Sequence, residues 1–178
     1  MVDTTFPFQI VIFTQDYSIA GGLFLRDQRL SDFLNDRRDS TILLRNASIA
    51  RLEEPAKVIE KTPFSIIPKT SIVLGFEPPQ KTTPTTRKFI KYPKQKYDVF
   101  LALDSMQVRG KLNVQGPLDL RQAITNAAES FMPITEAMVI LNANPAMTIK
   151  REAVLVNVQG IRFLGEMPPP AEEKPSGQ

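Results

Sequence analysis

The residues best suited to chemistry lie between Gln80 and Lys96, QKTTPTTRKFIKYPKQK. Lys81, Arg87, Lys88, Lys91, Lys94 and Lys96 put six cations into this stretch, and no acid occurs from Pro78 to Tyr97. Phe89, Ile90 and Tyr92 interrupt the run. Cations at this density neutralise phosphates, and exposed aromatic rings stack on bases. Lys81, Arg87, Lys88, Phe89, Lys91, Tyr92, Lys94 and Lys96 are therefore the candidate nucleic-acid-binding set. A solvated linker, kept extended by its own charge, has the same composition. The net charge of the chain is only +3, so this stretch, with six cations and no acid, outweighs a remainder that is net negative. An anionic membrane surface would use the same cations, but no amphipathic helix accompanies them.

The absences narrow the chemistry further. The chain has no His and no Cys. Ser-His-Asp and Cys-His nucleophile systems cannot be built from it, nor can imidazole or thiolate zinc sites. There is no GxxxxGK[ST] and no GxGxxG, so neither phosphate-cradling loop is present. The pair Gly21-Gly22 lies in a strand-like stretch and precedes no helix. Carboxylate chemistry remains open, because 19 acids are present, but no spacing singles out a pair. No catalytic residue, cofactor or metal ligand is assigned.

The elements that must position any site come in two similar sets. Leu30 to Leu52, LSDFLNDRRDSTILLRNASIARL, is echoed ninety residues on by Leu120 to Asn142, LRQAITNAAESFMPITEAMVILN. At that offset Leu30 meets Leu120, Ser40 meets Ser130 and Ala47 meets Ala137. Pro55-Ala56 meets Pro145-Ala146, Leu74-Gly75 meets Leu164-Gly165, and Pro78-Pro79 meets Pro168-Pro169. Upstream, an offset of eighty-nine pairs Gly21 with Gly110 and Leu23 with Leu112. Shared dipeptides in one register point to an internal repeat.

Within each copy the periodicity changes. Phe8 to Thr14 is β-branched and aromatic and reads as a strand. Ser18 to Leu25 alternates and reads as its partner. Leu30, Phe33 and Leu34 have helical spacing, which predicts a short helix over Leu30 to Asn35 with Phe33 and Leu34 buried. In the second copy Asp119 can cap, with Gln122 three residues on, and Ala123 and Ile124 should be buried. Asp36 to Ser40 is a charged turn. Thr41 to Leu44 and Ala47 to Leu52 form one long strand or two with a kink at Arg45-Asn46, matched by Phe131 to Ile134 and Ala137 to Leu141. Phe64 to Ile67 and Ser71 to Phe76 are expected as a tight pair of strands, as are Ala153 to Val158 and Ile161 to Leu164.

The fold class expected is mainly β with short helices, in two tandem, duplicated small β-barrel-like modules, each β-β-α-β-β-β. The divisions are a leader over 1–7, a first repeat over 8–79, a basic linker over 80–96, a second repeat over 97–167 and a Pro-rich, disordered tail over 168–178. With 42% apolar and 23% charged residues the composition is that of a soluble globular protein. The N-terminus does not read as a signal peptide, and no apolar run approaches the roughly 20 residues of a membrane helix. These features favour the cytosol.

Each copy resembles an Sm-like barrel of the SH3-like architectures. The resemblance rests on Ile19-Ala20-Gly21-Gly22-Leu23 and Val108-Arg109-Gly110-Lys111-Leu112 in a second strand. It rests also on Leu43-Leu44-Arg45-Asn46-Ala47 and Ile134-Thr135-Glu136-Ala137 in a later one. It implies single-stranded RNA binding at the loops, through an Asp and Asn after the second strand and an Arg-Gly in the last turn. This chain has Gln159-Gly160 and Lys69-Thr70 in those turns, and Asp32 and Asn35 fall in the helix, so no site residue is carried over. A helix between the second and third strands also departs from the Sm pattern. Arg29 to Asn35, RLSDFLN, is similar to a segment of an uncharacterised bacterial domain family, which implies no activity. The reading favoured here is a non-enzymatic interaction or assembly module with a protein partner or self-association. Nucleic-acid binding through the linker comes next, and a carboxylate-based enzyme or small-ligand sensor last.

Overall fold

The computed structural model describes residues 8–25, 28–79, 94–125 and 129–168. The strands are β1 (Phe8–Phe13), β2 (Tyr17–Leu23), β3 (Thr41–Arg51), β4 (Val58–Pro68), β5 (Leu74–Phe76), β6 (Gln95–Leu103), β7 (Met106–Val114), β8 (Phe131–Leu141), β9 (Asn144–Asn157) and β10 (Ile161–Glu166). Two short helices, α1 (Leu30–Asn35) and α2 (Leu120–Thr125), follow β2 and β7. A 3-10 turn, Lys69–Ser71 or Val158–Gly160, precedes the last strand of each half. The order β-β-α-β-β-β thus runs twice. All ten strands form one antiparallel sheet, in the order β10-β6-β7-β8-β9-β5-β1-β2-β3-β4.

The sheet is not closed, where two small barrels are the expectation. Each half has its last strand on its first, β5 on β1 and β10 on β6. The outer side of β5 then takes β9 of the other half, so the halves share one ladder. A second expectation also fails. β4 and β5 do not form a tight pair across Pro68-Lys69-Thr70, and β9 and β10 do not pair either. In each half a 3-10 turn precedes the last strand and carries it away from its predecessor, and in the first half Lys69 fixes that turn. Its ammonium is carried under the end of α1, where it donates to the carbonyls of Phe33 and Asp36 at 2.8 Å each and lies 5.1 Å from the Phe33 ring centroid. Cations at a helix C-terminus satisfy its orphan carbonyls. This anchors the turn.

A bend in β3 and in β8 shapes each half. Asn46 and Glu136 have φ of 48° and 50°, in the left-handed region, and the register with β2 and β7 slips beside them. Such bulges bend a strand and increase its twist. Gly21 and Gly110 lie opposite. A Cβ at Gly21 would meet Ala47 and the Arg45 carbonyl at 3.2 Å, and one at Gly110 would meet Ile134 Cγ2 at 2.5 Å and the Thr135 oxygen at 2.7 Å. Ala47 and Ala137, the residues just after each bend, are 3% and 2% exposed. The Gly and Ala motifs are therefore two sides of one close approach.

Two cores result. One gathers Ile10, Ile12, Leu34, Ile42 and Leu44 of the first half and takes Phe131 and Leu155 from the second. The other gathers Val99, Leu101, Val139, Val154 and Val156 of the second half and takes Phe13, Leu74 and Phe76 from the first. Successive residues of a strand face opposite sides. The split of Ile10 and Ile12 from Phe13, and of Leu155 from Val154 and Val156, therefore puts the cores on opposite faces of the shared ladder. Burial on both faces explains the unbroken apolar runs in β1 and β9.

The helices differ from expectation at one end. α1 buries Leu30 and Leu34, with Phe33 half-buried. α2 is capped by the Asp119 carboxylate, which accepts from the Gln122 N–H at 3.0 Å, yet it buries no residue, and Ile124 is 39% exposed. α1 packs on β8 of the other half, whereas nothing comparable lies beyond α2 among the described residues.

The offset between corresponding elements of the two halves is not a constant ninety, where ninety without a gap from Leu30 onward is the expectation. An offset of ninety holds for α1 and α2 and for the Asn46 and Glu136 bends. It becomes eighty-nine in the fourth strands, where Ala47 faces Thr62 and Ala137 faces Arg151. It is eighty-nine again in the last strands, where Phe13 faces Leu74 and Ala102 faces Phe163. Pro55-Ala56 lies in a turn while Pro145-Ala146 lies in β9, so these shared dipeptides are not structural equivalents.

The close approach at the bends gives a direct test. Gly110→Ala should cost about 1–3 kcal/mol of unfolding free energy through overpacking. Gly21→Ala, with its nearest atoms at 3.2 Å, should cost less. Urea denaturation of both variants measures this, and an Ala tolerated at 110 would overturn steric contact as the reason for the glycine.

Candidate interaction edges

Two strands lack a neighbour on one side among the described residues. β4 pairs only with β3, and β10 only with β6. A bare edge presents unpaired N–H and C=O groups and invites another strand. The large exposed hydrophobics gather at these ends. Ile66 and Phe64 of β4 are 70% and 58% exposed, with Leu43 of β3 beside Ile66 in the ladder at 49%. At the other end stand Phe163 of β10, 57% exposed, and Ile124 of α2. Phe64, Ile66 and Leu43 share one face, and contiguous exposed apolar surface of that kind marks interaction sites.

Each edge also carries rings held by a guanidinium. Arg45 lies 4.7 Å from the Phe24 ring centroid and 5.5 Å from that of Phe64. Arg109 lies 5.6 Å from Phe100, whose ring is 6.1 Å from Phe163. Such contacts are worth about 0.5–1 kcal/mol each at exposed sites, enough to fix a ring on a sheet surface.

The ladder between β5 and β9 shows how a covered edge looks in this fold. Leu74 faces Val156 and Gly75 faces Leu155. Leu74 and Val156 are fully buried and Leu155 is 7% exposed. Polar groups close the end at Asn157, which faces Phe131. The buried Asn157 amide donates to the Ile72 carbonyl at 2.8 Å, and its backbone N–H donates to the Val73 carbonyl at 2.9 Å. Asn35, at the end of α1, accepts from the Phe131 N–H at 2.8 Å and donates to the Phe131 carbonyl at 3.1 Å.

A groove of about 570 Å³ runs beside this junction, lined by the start of α1, Gly75 to Pro79 and Lys150 to Ala153. It holds two carboxylates, Glu77 and Glu152, which a carboxylate-based reading requires. Burial pushes the Glu77 carboxyl above its ordinary value, although the residue as a whole remains exposed. The Arg151 guanidinium lies over Phe76 at 4.8 Å and donates to the Lys150 carbonyl at 2.7 Å, so part of its binding capacity is used within the wall. Among the described residues no three acids come together as a metal site, and no helix is long and apolar enough to cross a membrane.

Of the candidate nucleic-acid set, Lys81, Arg87, Lys88, Phe89, Lys91 and Tyr92 lie outside the described residues, as do the leader and most of the tail. Lys94 is exposed ahead of β6. Lys96 belongs to β6 opposite Asn113, and its ammonium is 3.2 Å from Glu136 Oε1. The last residues of the expected linker are thus part of the sheet. The edge residues were missed because Phe64 and Ile66 read as ordinary strand alternation. The available signal was the bracketing Pro63 and Pro68, since proline inside a strand marks an edge. No family model, curated protein or solved structure matches this chain.

One ion pair governs the β10 edge. Arg162 grips Asp104 through two hydrogen bonds of 2.8 Å and joins β10 to the turn between β6 and β7. That contact holds the Asp104 carboxyl below its ordinary value of 3.8. A carboxyl with a depressed folded-state pKa contributes stability above the ordinary value and loses it as pH falls through the folded one. Acidification below 3.8 should therefore loosen the start of β10, read as lower amide-exchange protection factors at Arg162 and Phe163, relative to the intrinsic rate at each pH. Asp104→Asn should show the fast exchange already at pH 7 and little further change on acidification. A wild-type pH profile unchanged by the substitution would assign the opening to other groups.

Proposed function

We propose that this chain is a non-enzymatic interaction and assembly module, built from two tandem copies of one small barrel-like unit, that binds protein through its edge strands. The observation that carries the reading is where the apolar surface lies. Ile66, Phe64 and Leu43 at one end, and Phe163 and Ile124 at the other, flank the two unpaired strands. Main-chain hydrogen bonds of an added strand would supply affinity, and these side chains would supply selectivity. A chain without His or Cys has few routes to catalysis, and the groove at the junction carries its acids exposed at the surface.

The test uses a double variant, Ile66→Lys with Phe163→Lys, which places a charge on each edge. Tagged wild type expressed in its native cells should retain a protein in stoichiometric amount, either another chain or its own. The variant should retain folding, by circular dichroism, and lose that protein. Wild type that retains no protein and sediments at its single-chain mass of 20.0 kDa at all concentrations would overturn the reading. Retention of nucleic acid instead, released by salt and insensitive to the edge charges, would move the function to the basic linker.

A further inference from the structure

We infer that the occupant of each edge is a second copy of this chain, with β10 of one copy pairing to β4 of the next, head to tail, in the register of the internal junction. The inference rests on the reading of the chain as an edge-binding module and names its partner.

The junction within the chain is the template. Its strands are the last strand of one half and the fourth strand of the other. The two bare edges are the same two strand types, β10 and β4, with the halves exchanged. The register carries across because the pairings match. Ile10 faces Gly21 as Val99 faces Gly110, eighty-nine residues on. On that frame β10 places Phe163 where β5 has Leu74, and Leu164 where it has Gly75. The fourth strands are offset by the same amount, so β4 places Ile67 where β9 has Val156, and Ile66 where it has Leu155. The contact between copies therefore puts Phe163 opposite Ile67 of the second copy, and Leu164 opposite Ile66.

Burial supports this residue by residue. Leu155 is 7% exposed inside the junction, and Ile66 in the same place on the bare edge is 70% exposed. Leu74 is fully buried, and Phe163 in its place is 57% exposed. Leu34 of α1 is 2% exposed where it shares a core with Leu155, and Ile124 in its place on α2 is 39% exposed. The positions that are sealed in the middle of the sheet are apolar and open at its ends. That pattern is what a missing neighbour of the same kind leaves. The template asks little of the backbone, because two registered pairs suffice in the middle. Phe64 to Ile67 gives β4 a window free of proline, between Pro63 and Pro68, that accommodates them.

One difference sets the strength. Pro68 stands where the junction has Asn157, so neither the N–H nor the amide bond of Asn157 can be made between copies. The contact is weaker than its template and should be reversible with concentration. Because the two edges differ, the contact is heterologous and does not stop at two chains. Copies continue until they close a ring or extend a filament.

The chain has no cysteine, which makes disulfide trapping clean. Ile66→Cys and Leu164→Cys are made separately and mixed under mild oxidation. Residues directly opposite across an antiparallel pair have Cβ atoms about 4.5–5.5 Å apart, within reach of a bridge. The expected result is a linked dimer in the mixture and none in either variant alone. A chain with both substitutions should give a ladder in steps of 20.0 kDa, or a single closed species. Wild type should sediment above 20.0 kDa with rising concentration, and Ile66→Lys should abolish that. Dimers of Ile66→Cys with itself would overturn the head-to-tail order while leaving edge binding in place. Absence of any linkage, with wild type at single-chain mass throughout but still retaining another protein from cells, would overturn the second-copy occupant and keep the edge reading.

Discussion

The pairing of β5 with β9 is the contact on which the rest of this structure depends. Only two residue pairs define its register. Its backbone hydrogen bonds are worth about 1 kcal/mol each net. The side chains it brings together weigh more. Leu74, Phe76 and Phe13 enter one core, and Leu155 and Phe131 the other. Full burial of such a side chain is worth about 1.5–3 kcal/mol. Burial therefore dominates, and the ladder fixes which residues meet. Neither half has a complete core without the other, as its small size would suggest. The polar groups at the seam act on position more than on energy. Asn35 and Asn157 satisfy backbone groups at one end of it, where Phe131 faces Asn157 and an unmet buried partner would be costly.

Much of this was legible locally. Leu30–Asn35 was read as a helix to the residue, because Leu30, Phe33 and Leu34 share one face. The kink at Arg45-Asn46 was visible as a break in alternation, and its cause is the left-handed Asn46. What local pattern could not convey is pairing between distant strands. Val58 to Thr62, at the start of β4, mixes charge with apolar residues because it lies at an edge with one side in water, so no alternation flagged it. The strands after each 3-10 turn looked like hairpin partners because the turn is short. Their real neighbours lie far away in sequence, which no window detects. The likeness of the two halves shows in Gly21 and Gly110, whose role is steric. It was misaligned by one residue where Leu74-Gly75 and Leu164-Gly165 match in type and differ in place. Chemical identity marks equivalence only where a contact demands it.

The basic stretch between Gln80 and Lys96 is the strongest signal in the sequence, and most of it lies outside the described residues. Its end at Lys96 is held by Glu136, which also lies 3.8 Å from Lys111. Glu136 is the residue with positive φ in β8, so the bend that shapes the second half also turns a carboxylate toward the end of the linker. An exposed pair of this kind adds little stability.

The prolines of β4 argue that its edge is regulated by sequence as much as left open. A bare strand of 11 residues would pair with many chains in many registers. Pro68 removes a donor N–H from the bare side and Pro63 one from the side facing β3, which leaves Phe64 through Ile67 as the stretch between them that is free of proline. Within that window the exposed side chain at Ile66 is apolar, while Lys61 and Glu60 on the far side of Pro63 are charged. Pro68 thereby limits the registers in which an added strand can pair at that end of β4. β10 meets that requirement from the other side. It is six residues long, is pinned at its start by Arg162 to Asp104, and presents Phe163 and Leu164 just beyond the pin. The two edges are restricted in ways that fit each other, and a strand of unrelated sequence would have to satisfy both the length limit and the apolar positions to compete.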